Sequence, residues 1–189
     1  SEVVLVDVSP TVDLALDRDG NFVALAGASL ISISRQTLEI TTIDADTYPG
    51  AFEALAVDPD TNRCWVATTD LFGGNNALPQ YDLDEGPGAA TVLTGLGPIG
   101  QMFVPMGLAY DARQDVLYIA GLDTFIVAPP LVRYDVATGL FAAIGPMVNT
   151  GYEGVHVDAR TGDLHLVDGY IGTSHWWVVH PEVGDPLAV

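Results

Sequence analysis

The chain has 189 residues, 49% of them hydrophobic and 16% charged, with 25 acidic side chains against 6 arginines and no lysine. Length and apolar content predict one globular domain with a sizeable core and exclude a disordered chain, in spite of a formal charge of −19. That charge repels phosphate backbones and anionic headgroups, so no nucleic acid is expected as a partner. No apolar run approaches the roughly 18 residues of a bilayer span, so no membrane insertion is expected either.

The acids divide into 19 Asp and 6 Glu. Aspartate forms helices poorly and turns well, which points to a chain rich in turns. An acidic surface without lysine suits a high-salt setting or reflects a lysine-poor proteome. Cys64 is the single cysteine, which excludes an internal disulfide framework and a thiolate-rich metal site. The sequence opens at Ser1 with neither methionine nor leader, and a secreted or extracellular location is the expectation.

The first predicted element is Val3-Val4-Leu5-Val6-Asp7-Val8, a strand of the outermost kind, leading through Ser9-Pro10-Thr11 into a repeated pattern. A first unit, about 13–43, opens with Leu14-Ala15-Leu16-Asp17, turns at Arg18-Asp19-Gly20 and continues over 22–26. Its second half runs over 30–34, turns at Arg35-Gln36-Thr37 and ends with 38–43. The second unit, about 54–94, has Leu55-Ala56-Val57-Asp58, the turn Pro59-Asp60-Thr61-Asn62 and runs at 64–68, 78–82 and 89–94. The third, about 107–144, has Leu108-Ala109-Tyr110-Asp111, the turn Ala112-Arg113-Gln114-Asp115 and runs at 117–121, 131–135 and 140–144. The fourth, about 154–189, has Val155-His156-Val157-Asp158, the turn Ala159-Arg160-Thr161-Gly162 and runs at 164–168, 176–180 and 185–189. The closing aspartates recur after 41, 53 and 47 residues. Short apolar runs separated by turn chemistry are hairpin signatures, and no segment keeps a 3.6-residue apolar period. An all-β chain of four four-stranded antiparallel units follows, with no long helix.

The phrases GLAYDARQDVLYIAG (107–121) and LVRYDVATG (131–139) resemble the bacterial propeller repeats that include NHL, YVTN and gluconolactonase-type proteins. The resemblance is one of repeat rhythm over nearly the whole chain. It implies a single-domain β-propeller of four blades and carries little about activity, since propellers host many functions. Pairing of strand 3–8 onto the fourth unit is expected to close the ring and remove its edges. The alternatives are that this strand pairs with a neighbouring molecule, or that the chain is half of a larger propeller, two chains making one eight-bladed ring.

Turns between first and second strands, and between third and fourth, are short. The connections 69–77, 122–130 and 169–175 within units, and 44–53, 95–106 and 145–153 between them, are long. In an up-and-down sheet the long set emerges at one end, around the channel mouth, where rigid scaffolds carry binding loops. Phe72, Asn75, Asn76, Phe125, Tyr152 and Trp176 are the candidate ligand-binding residues of that face, for a protein or glycan partner. Asp13, Glu53 and Glu153 stand before or at the start of the innermost strands, with Met106 in the third unit's place. Convergent carboxylates there would bind a hard cation such as Ca2+, with Asn149 and Asn75-Asn76 adding amide oxygens. Carboxylates turned outward would instead be part of the acidic surface.

A four-residue turn sets Asp158 against Asp163, and therefore His156 against His165, with Cβ atoms about 5 Å apart. The same count sets Ala56 against Trp65, Ala109 against Tyr118 and Ala15 against Val23, a small-against-bulky rule that the fourth unit replaces with two imidazoles. They are a packed substitute or, joined by a carboxylate, a zinc or copper site. His175 and His180 flank Trp176-Trp177, a stacking surface for a sugar ring. The strand-end aspartates read as Asx turns and Cys64 as a buried, inert thiol.

No catalytic set is expected. The main expectation is a non-enzymatic binding or assembly module working through its long-loop face. One alternative, implied by the gluconolactonase-type resemblance, is a divalent-metal-dependent hydrolase or lactonase using Asp13, Glu53 and Glu153 in the channel. The other is a structural subunit of an extracellular assembly, a homo-oligomer linked by its terminal strand.

Overall fold

A computed structural model describes residues 11–45, 51–69, 77–88, 90–93, 103–123, 131–144, 151–168, 174–181 and 186–188. The first sheet holds β1 (Thr11–Leu16), β2 (Phe22–Ala26), β3 (Ser29–Ile33) and β4 (Ile40–Ala45). The second holds β5 (Ala51–Asp58), β6 (Arg63–Thr69), β7 (Pro79–Asp82) and β8 (Ala90–Val92). The third holds β9 (Phe103–Asp111), β10 (Val116–Asp123), β11 (Leu131–Asp135) and β12 (Leu140–Ala143). The fourth holds β13 (Gly154–Val157), β14 (Leu164–Asp168), β15 (His175–Val179) and β16 (Pro186–Ala188). Each sheet is a four-stranded antiparallel meander in chain order, and no helix occurs among the described residues. The N-terminal strand expected over 3–8 lies outside the described residues, and the fourth sheet's outermost place is held by β16.

The hairpins close as aspartate chemistry dictates. Asp58, Asp111 and Asp158 each accept the backbone N–H two residues on, at 2.8–3.0 Å, while Asp17 accepts that of Asn21 at 2.7 Å. The outermost strand of the first sheet starts two residues later than its apolar run suggests. Leu38 has φ 60° and donates its N–H to Ser34, as Gly139 with φ 73° does to Asp135 in the third sheet. The left-handed turn residue belongs to the turn, so pairing begins at Ile40.

The small-against-bulky register holds: Ala15 faces Val23, Ala56 faces Trp65, Ala109 faces Tyr118 and His156 faces His165. Three apolar cores lie between successive sheets. Val23, Leu25 and Leu30 of the first meet Leu55, Val66 and Tyr81 of the second. Ala56 and Trp65 then meet Leu108, Leu117 and Ile119, and Ala109 and Tyr118 meet Leu164 and Leu166. Sheets packed on both faces bury nearly every second-strand side chain, as in Cys64–Ala67 at 0% exposure.

The first strand of each sheet is the innermost, with β1 against β5, β5 against β9 and β9 against β13. The closest approach is at Gly107, where an added Cβ would come 2.9 Å from Gly154 Cα and 3.0 Å from Val155 N. Both atoms are backbone and have no rotamer to escape through. Gly107→Ala is therefore expected to destabilise the fold by about 2 kcal/mol, the usual scale for overpacking, in urea unfolding.

Candidate functional site

The four innermost strands line one cavity of about 410 Å³, whose wall includes Val12, Asp13, Glu53, Met106, Glu153 and His156. A break in register puts the acids there. The pairing of β1 with β2 skips Val12, that of β5 with β6 skips Glu53, and that of β9 with β10 skips Met106. In the fourth sheet, the N–H of Glu153 bonds the carbonyl of Val167, which already faces Gly154. A bulge re-aims the extra side chain out of the sheet's alternation, here towards the cavity. The structurally equivalent set is thus Val12, Glu53, Met106 and Glu153.

Asp13 falls one residue beyond the first bulge, in the place of Ala54, Gly107 and Gly154. Its Oδ1 accepts the N–H of Leu14 and its Oδ2 that of Leu55, both at 2.8 Å, so it joins the first sheet to the second. Glu53 accepts the hydroxyl of Thr69 at 2.9 Å, and Glu153 is exposed. Among the described residues no three His, Cys, Asp or Glu side chains gather as a metal site. Asp13 commits both carboxylate oxygens, and Glu53 one, to protein donors. Asp13→Ala strands the Leu55 N–H and is expected to cost about 2 kcal/mol in urea unfolding, whereas exposed Glu153→Gln should stay within about 0.5 kcal/mol.

Phe72, Asn75, Asn76, Phe125 and Asn149 lie outside the described residues. Tyr152, expected at the ligand face, is 4% exposed and packs in the core between the third and fourth sheets, its N–H bonded to the Gly121 carbonyl. Trp176 is 55% exposed on the fourth sheet's outer face, 5.4 Å between ring centres from His165. The rings of His156 and His165 are 6.3 Å apart and tilted, so His156, His165 and Trp176 form a row of rings. His175 and His180 are paired with Asp168 and Asp163. Cys64 is free and fully buried, and burial first, with Asp13 adding, pushes its thiol pKa far above the ordinary range. Composition gave no hint of the Asp168 cluster. Its carboxylate, 4% exposed, accepts the His175 N–H at 2.8 Å and the Trp177 indole N–H at 2.9 Å.

The architecture has close structural counterparts. TolB from Acinetobacter baumannii superposes with a TM-score of 0.70 at 14% identity, over 95% of this chain and 43% of that one. A gluconolactonase from Xanthomonas campestris superposes with a TM-score of 0.67 at 14% identity, over 94% of this chain and 60% of that one. The fold is a β-propeller. The four sheets of the described residues are blades of it, resembling gluconolactonase-type repeats. The extracellular domain of BT4673 from B. thetaiotaomicron also superposes, with a TM-score of 0.64 at 17% identity, over 94% of this chain and 22% of that one. In sequence, the propeller is 29% identical over 133 residues to Mechanosensory abnormality protein 6 of Caenorhabditis elegans. That match spans 67% of this chain and about a third, 34%, of the relative. No family model matches the chain.

Proposed function

We propose that this propeller is a non-enzymatic binding or assembly module of the extracellular space, engaging a protein or glycan through its long-loop end. One observation carries the reading. The described strand ends that lead into the connections between second and third strands, and into those between blades, lie at the end of the channel where the bulges place Glu53, Met106 and Glu153. The opposite end carries the compact Asx turns, whose polar groups are spent on one another. The extracellular placement is supported by the extracellular-domain counterpart and by the mechanosensory relative. Binding to a glycan array and a basic-peptide panel tests it. Substitutions Phe72→Ser with Asn75→Ala, or Phe125→Ser, should weaken the recognised class at least tenfold, while Arg160→Ala on the short-turn end changes nothing. Loss confined to the short-turn variant would overturn the reading.

A metal-dependent hydrolase or lactonase is the second reading, favoured by the gluconolactonase counterpart and the carboxylates at the channel. Calcium added to metal-free protein separates the two. The binding module should keep its melting temperature. Stabilisation lost in the Glu53→Gln, Glu153→Gln double variant would favour the hydrolase.

A further inference from the structure

We draw no further inference here: the strongest candidate, the exposed apolar face of the first blade around Leu14, Leu16 and Phe22, carries nothing because nothing in the structure shows what covers it.

Discussion

Trp65→Ala is expected to remove about 4 kcal/mol of folding stability, against a total of about 5–15 kcal/mol for a typical domain. Trp65 is the bulky member of the second blade's cross-strand pair, fully buried, and stacks on Tyr110 of the third blade at 5.1 Å. Its indole N–H donates to Gln80 Oε1 at 3.1 Å, so the one polar atom of the side chain is satisfied. Around it stand Ala54, Ala56 and Ala67, whose small side chains cannot collapse into the space a truncation leaves. The expected readout is a lower urea midpoint with an unchanged slope, since the cavity weakens the junction without altering the surface exposed on unfolding. Trp65→Phe, which keeps most of the volume, should lose less than half as much. A loss below about 1 kcal/mol for the alanine variant would mean that the ring does not lie between blades.

Asp168→Ala should be nearly as costly, about 3 kcal/mol, because it removes a buried carboxylate together with the three part-buried hydrogen bonds that it accepts. Asp168 ends β14 at the long-loop end and reaches β15 through the His175 backbone and ring and the Trp177 indole. Burial alone would raise its pKa, but the Trp177 and His175 donors outweigh burial and hold the carboxyl below the usual aspartate range. The folded value therefore lies below the unfolded one. Its stabilisation is complete above the unfolded pKa of about 4 and is lost as pH falls through the lower, folded value. Asp135, Asp158 and Asp163 are lowered too, chiefly by the Thr138 hydroxyl, the Arg160 N–H and the Thr161 hydroxyl respectively. All four push in one direction. Urea midpoints should be level from about pH 7 to about 5 and fall steeply below about 4, with a shallower fall in Asp168→Asn. An acid limb identical in that variant would remove Asp168 from the account.

The blades are legible in the sequence because two signals coincide. Aspartate closes each inner strand, where a turn former that accepts a backbone N–H of the turn that follows it is needed, and apolar runs of strand length follow at fixed offsets. The cross-strand pairs follow by counting from those turns. The bulges do not, since an extra residue leaves the apolar pattern nearly unchanged. Counting back from the closing aspartate nonetheless sets Glu53, Met106 and Glu153 five residues before it, and Asp13 only four before Asp17. Asp13 therefore belongs with Ala54 and Gly107, and its role as a tether between blades follows from that offset. The burial of Tyr152 is not legible in the sequence for a different reason. An aromatic beside a long connection looks like a ligand contact, yet here the backbone bonding of Gly151 and Tyr152 to the third blade draws the ring into the core. The Asp168 cluster has no linear signature, because its donors come from across a connection.

A crystal structure of the purified chain tests the central claim most directly. The account predicts β1, β5, β9 and β13 side by side around one channel, with Glu53, Met106 and Glu153 at the end where every long connection emerges. Sheets stacked as a two-layer sandwich, or long connections divided between both ends of the channel, would contradict it.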